Sequence, residues 1–123
     1  MLMNKKILIV DDDPRNIFAL KLTLKARGYA VETCTMAQEA FDILKADHQF
    51  SVVLIDMMMP GIDGYEAVKI IRKTPEIKDI PVIAVTAQAM PEDRQKCMEV
   101  GADDYVSKPI DVDLLITAIE KLS

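Results

Sequence analysis

The run Lys5-Lys6-Ile7-Leu8-Ile9-Val10-Asp11-Asp12-Asp13-Pro14 decides how this chain is read. Four consecutive apolar residues give way at once to three acids and a proline. Unbroken apolarity over a short stretch marks a β-strand covered on both faces, since a strand with one wet face alternates instead. The same design recurs further along, where Val52-Val53-Leu54-Ile55 stops at Asp56 and Pro81-Val82-Ile83-Ala84-Val85 stops at Thr86, while a more polar strand, Asp104-Tyr105-Val106-Ser107, stops at Lys108.

Working outward, strands are expected at residues 5–10, 30–34, 52–55, 81–85 and 104–107, with amphipathic helical segments at 14–26, 37–45, 65–73, 91–100 and 112–122. Ile17, Leu20 and Leu24 recur at helical spacing in the first of these, and Leu115, Ile119 and Leu122 in the last, so each has one face to bury. Pro14 and Pro91 open helices, and Gly28 and Gly101 follow helix ends, which is favoured helix punctuation. Strand and helix alternating five times build a parallel sheet through right-handed crossovers. The expected fold is α/β: a flavodoxin-like (βα)5, doubly wound, parallel five-stranded sheet of order 2-1-3-4-5, with strands one, three and four at its centre.

The length of 123 residues suits one domain, and half of the chain is hydrophobic against 28% charged. No apolar run approaches the roughly 20 residues of a membrane span, and no secretory cleavage pattern follows the N-terminal lysines, so membrane insertion is not expected and a cytoplasmic location is. A net charge of -5 and a pI near 4.8 argue against direct nucleic-acid binding. Cys34 and Cys97 have no metal or redox spacing and read as buried thiols. His48 sits in a polar stretch and reads as a solvated loop residue.

Parallel strands point one way, so the residues that follow them meet at one edge: Asp11, Asp12 and Asp13, then Asp56, Thr86 and Lys108. Adjacent carboxylates repel, and oxygen donors of this kind suit Mg2+ rather than zinc. The bland account of the triplet is a solvated turn or a cap on the first helix, and Asp13 before Pro14 is placed to be that cap. Asp56 is expected to be exposed on its turn-rich loop and to act as a nucleophile. Phosphoryl transfer runs on positioning and charge stabilisation, for which Lys108 and Thr86 supply a cation and a hydroxyl. Pro109 after Lys108 invites a cis bond.

Together, Ile7-Leu8-Ile9-Val10-Asp11-Asp12-Asp13, then Leu54-Ile55-Asp56-Met57-Met58-Met59-Pro60-Gly61-Ile62-Asp63-Gly64, then Val85-Thr86-Ala87 and Lys108-Pro109, resemble the response-regulator receiver family of two-component and phosphorelay signalling. The resemblance covers essentially the whole chain and implies a single receiver domain over residues 1–123 without an output domain. It implies Asp56 as phosphoacceptor, and Mg2+ held by Asp11, Asp12 and Asp56 with the Met58 backbone carbonyl. It implies Thr86 as switch hydroxyl, Lys108 on the phosphoryl group and Tyr105 as the aromatic switch residue. Asp13 then caps the first helix or touches metal-bound water. The phosphodonor would be a partner histidine kinase or histidine phosphotransfer protein, and a downstream protein partner would read the change in shape.

The receiver would catalyse its own phosphorylation and slow dephosphorylation, a signalling switch rather than an enzyme acting on a separate substrate. Thr86-Ala87-Gln88-Ala89-Met90 and Pro14-Arg15-Asn16 resemble receivers of hybrid kinases and phosphorelays, and the small Ala87 leaves the site accessible. A free-standing regulator and a receiver from a larger hybrid kinase both remain open. The Met57-Met58-Met59 run reads as packing against the loop or as an adaptable surface. Two other classes compete: an aspartyl phosphohydrolase of the haloacid-dehalogenase type, against which Arg15 stands where Thr or Val belongs, and an adaptor that binds partners without phosphorylation.

Overall fold

The computed structural model describes residues 5–87 and 90–122. In chain order the elements are β1 (Lys6–Val10), α1 (Pro14–Ala26), β2 (Ala30–Cys34), α2 (Ala37–Ala46), β3 (Phe50–Asp56), α3 (Gly64–Lys73), β4 (Val82–Thr86), α4 (Pro91–Glu99), β5 (Asp104–Ser107) and α5 (Val112–Leu122). The strands form one parallel sheet in the order β2-β1-β3-β4-β5, the doubly wound arrangement that the alternation implies.

Successive strand side chains point to opposite faces, and here both faces are covered. Ile7, Ile9, Val52, Leu54, Ile83, Val85 and Val106 pack on one side with Leu20 and Leu24 of α1 and Leu115, Ala118 and Ile119 of α5. Leu8, Val10, Val53, Ile55, Val82 and Ala84 pack on the other with Phe41 and Leu44 of α2, Val68 and Ile71 of α3, and Cys97 of α4. This two-sided burial explains why β1, β3 and β4 carry no polar residue before their carboxyl ends except Lys6 and Ser51.

Two boundaries differ from expectation in ways that bear on the site. β3 extends through Asp56, and β4 through Thr86, because each residue still pairs in the sheet: Asp56 is in register with Val85, and Thr86 with Ser107. Asp56 and Thr86 therefore stand on the last rungs of the ladder rather than on loops. Of the segment Thr86-Ala87-Gln88-Ala89-Met90, Gln88 and Ala89 lie outside the described residues.

At the opposite edge Arg72 ties three segments together. Its Nε donates to the Gly101 carbonyl at 2.9 Å, Nη1 to those of Lys78 and Ile80 at 2.8 and 2.7 Å, and Nη2 to Asp103 Oδ2 at 2.8 Å. Asp103 Oδ2 also accepts the Val82 N–H at 2.9 Å, so the clamp reaches the start of β4. Gly101 has φ +114°, and a Cβ there would lie 2.8 Å from Arg72 Cγ, so the turn needs glycine on two counts. The planar guanidinium is matched to this fork of acceptors and an ammonium is not. Arg72→Lys is expected to lower the unfolding free energy by about 2 kcal/mol, measured by urea denaturation.

Candidate functional site

The site is assembled from the carboxyl ends of β1, β3, β4 and β5. Asp11 follows β1, held in place by its own N–H donating to the Cys34 carbonyl at 3.1 Å. Asp56 is the last residue of β3, and the next N–H, that of Met57, donates to the Val85 carbonyl at 2.9 Å. The Lys108 N–H donates to the Thr86 carbonyl at 2.8 Å, which fixes the start of the β5–α5 loop beside the end of β4. Asp12, Met58 and Thr86 complete the edge.

Asp11, Asp12 and Asp56 each offer a carboxylate oxygen, and these oxygens all lie within 4.8 Å of one another. Lys108 Nζ is 3.5 Å from Asp56 Oδ2 and 3.9 Å from Asp11 Oδ2. Three carboxylates against one ammonium leave two negative charges at full ionisation. Two like charges 4 Å apart repel by about 4 kcal/mol at an effective dielectric of 20, so the uncompensated part is large. Asp11 registers this: burial, foremost, and then the Asp56 charge push its carboxyl above the usual range, against the opposing pull of the Asp13 N–H and of Lys108. The donors are all oxygen, with no nitrogen or thiolate among them, and the net charge matches a divalent ion. The residues present fit Mg2+.

Asp56 departs from its expected exposure, for it is only 5% accessible. Its extra rung in the sheet withdraws it from the loop, and Lys108 and the Met58 N–H, which donates to Oδ1 at 3.0 Å, close over it. Asp11 is likewise buried, whereas Asp12 is exposed. Asp13 is the N-cap of α1, its Oδ1 accepting the Arg15 N–H at 2.9 Å, while its own N–H donates to Asp11 Oδ1 at 2.9 Å. It thus serves the helix and the site at once. Thr86 is fully buried, and Tyr105, half-buried on β5, packs against the cluster that contains Cys97. The Lys108-Pro109 bond is cis.

One site residue was not singled out from sequence: Asn16 Nδ2 donates to Asp11 Oδ2 at 3.4 Å. Its signal was its place in the first turn of α1, five residues after Asp11. Met57 and Met59 are buried and Met58 is 55% exposed, so the methionine run mostly packs and presents one side chain outward. His48 is exposed with Nε2 3.0 Å from the Lys45 carbonyl, and it precedes β3, at the end of that strand opposite Asp56. Cys34 and Cys97 are buried and unbridged, and burial pushes the Cys34 thiol up to about 12.

The family model of the response regulator receiver domain matches residues 7–120, so the chain belongs to that family. Among curated relatives, the polar-differentiation response regulator DivK of Brucella ovis is 34% identical over 118 residues, which cover 96% of this chain and 95% of that protein. A probable cyclic di-GMP phosphodiesterase of Vibrio cholerae is 41% identical over 109 residues, and a probable histidine kinase of Oryza sativa 33% identical over 141. The chain spans 24% and 14% of the length of those two proteins.

Among solved structures, a response regulator of Chloroflexus aurantiacus superposes with a TM-score of 0.91 at 31% identity, covering 98% of both chains. The receiver domain of a sensor histidine kinase of Pseudomonas aeruginosa, solved with a magnesium ion coordinated in its active-site cleft, gives 0.87 at 29% identity and 98% coverage of both. No helix among the described residues is long and apolar enough to cross a membrane.

Proposed function

We propose that this receiver takes a phosphoryl group onto Asp56 in a Mg2+-dependent transfer, from the phosphohistidine of a kinase or phosphotransfer protein in the cytoplasm. The observation that carries the reading is the position of Asp56 Oδ2, 3.5 Å from Lys108 Nζ and inside the three-carboxylate cluster. Asp11, Asp12 and Asp56, with the Met58 carbonyl, would hold the cation, which when bound neutralises the oxygens of the incoming group. A carboxylate oxygen of Asp56 attacks phosphorus, the bond from phosphorus to the donor imidazole nitrogen breaks with its electron pair returning to the ring, and an acyl phosphate results. Lys108 would balance charge on the phosphoryl oxygens from the other side, and the Thr86 hydroxyl would donate to one of them. Water later cleaves the acyl phosphate and restores the carboxylate.

The added charge would draw Thr86 inward and reorient Tyr105, shifting the face of α4, β5 and α5 between two populations that a downstream partner distinguishes. Support for the donor class comes from the kinase-borne receivers among its relatives.

Incubation with acetyl phosphate and Mg2+, followed by intact-mass measurement, tests the reading: a gain of one phosphoryl group is expected, lost when EDTA replaces Mg2+. No gain under either condition overturns it. Asp12→Asn removes the exposed oxygen donor and is expected to raise the Mg2+ dissociation constant at least tenfold, as read by titration of the site amides.

A further inference from the structure

α4 is the most lightly held helix of the fold. It buries one residue, Cys97, whereas α3 buries four and α2 four. Its backbone lies against β5, and two of its side chains reach Tyr65, the second residue of α3. Cys97 Sγ donates to the Tyr65 hydroxyl at 3.9 Å, and Lys96 Nζ, on the exposed side of α4, sits over the Tyr65 ring 4.4 Å from its centroid. Burial, foremost, and the neighbouring Cys97 push the phenol up to about 12, so the ring stays neutral at any ordinary pH.

Tyr65 is also tied to the phosphoacceptor. Gly64, one residue earlier, is packed so closely that a Cβ would fall 2.7 Å from the Asp56 carbonyl oxygen and 2.4 Å from Met57 Cα. Tyr65 and Lys96 share a shallow groove of about 290 Å3 with Met57, Met58, Met59 and Asp63, so the loop after Asp56 lies directly against the contact. A displacement of that loop would reshape the groove that the ring and the lysine line.

We propose that Tyr65 and Lys96, with Cys97 beneath, form a latch that fastens α4 to α3 in the unphosphorylated protein and sets how readily α4 rearranges when Asp56 is modified. The inference rests on the phosphoacceptor reading above. The cation over the ring contributes in one state of α4 only, and any state-selective contact biases a two-state equilibrium by its own free energy. Weakening the latch therefore loosens α4 before phosphorylation and tightens binding of a phosphoryl mimic, since less must be given up on switching.

The test compares the parent with Lys96→Met, which keeps the apolar stem and removes the charge, and with Lys96→Arg, which restores a cation. Without ligand, amide exchange of residues 94–99 is expected to speed up roughly two- to five-fold in Lys96→Met, with the amides of β1 unchanged. Beryllofluoride with Mg2+ is expected to bind Lys96→Met tighter by a similar two- to five-fold, and Lys96→Arg to match the parent. A merely structural lysine would not tighten binding of the mimic. Unchanged exchange in α4, or equal beryllofluoride affinity in parent and Lys96→Met, overturns the latch. A parent that does not respond to beryllofluoride at all overturns the phosphoacceptor reading instead, while the exchange comparison still decides whether Lys96 holds the helix.

Discussion

Asp56→Asn is expected to take up no phosphoryl group from acetyl phosphate, a complete loss against full conversion of the parent by intact mass. An amide oxygen is a poor nucleophile, and the substitution removes the one carboxylate that Lys108 approaches within 3.5 Å. The variant should nonetheless fold. Asparagine has nearly the volume of aspartate, and its oxygen can still accept the Met58 N–H now held at 3.0 Å. In the absence of a cation, Asp56 is repelled by Asp11 and Asp12 and attracted by Lys108, two like-charge terms against one of opposite sign at comparable distances. Asp56→Asn should accordingly be at least as stable as the parent in EDTA by urea denaturation. Adding Mg2+ should stabilise the parent more than the variant, because an ion that binds only the folded state adds free energy that grows with the logarithm of one plus the ratio of its concentration to its dissociation constant. A variant that unfolds in EDTA would mean that the Lys108 contact outweighs the repulsion.

Gly64→Ala is expected to produce the largest loss of stability, about 3 kcal/mol, by urea denaturation. Its Cβ would meet the Met57 Cα at 2.4 Å and the Asp56 carbonyl oxygen at 2.7 Å. Both obstacles are backbone, and neither can swing aside as a flexible side chain would. The strain can be relieved only by lifting the start of α3 away from the end of β3, which moves the Asp63 cap, whose Oδ1 accepts the Glu66 N–H at 2.9 Å, and the loop that carries the Met58 carbonyl. Phosphorylation by acetyl phosphate at saturating Mg2+ should slow at least tenfold, since about an ångström of misplacement at a reacting centre costs on that order or more. An alanine variant of parental stability and rate would show that the loop yields where the packing says it cannot.

The two variants separate what is chemical about the site from what is architectural. Asp56→Asn removes reactivity and leaves the scaffold, whereas Gly64→Ala leaves every reactive group and disturbs the scaffold beneath them. A protein in which both lose phosphorylation, but only the second loses stability, has the organisation described above.

Strand and helix periodicity made the five repeats, the central strands and their order legible in sequence, because burial on both faces forces continuous apolar runs that few other folds require. The edge to which Asp11, Asp12, Asp56, Thr86 and Lys108 would be brought was legible as well, since parallel strands share a direction. Asp13 as a helix cap needed only its place before Pro14. Other features depended on contacts between residues far apart in the chain. The burial of Asp56 follows from β3 continuing one rung further against β4, and from Lys108 arriving fifty-two positions later to cover it. The four-acceptor clamp of Arg72 and the Tyr65–Lys96 contact are equally long-range in consequence and carry no local signature, whereas Asn16 on Asp11 is a local contact made from the first turn of α1.

The amino-acid order by itself determined the class of fold and the kinds of group at the strand ends, because patterning and punctuation act within a few residues. Only the tertiary structure decided which carboxylates are shielded from water, how far Lys108 stands from each, why residue 64 tolerates no side chain, and by what contacts α4 is fastened. Those are properties of packing, where distance in space bears no relation to distance along the chain.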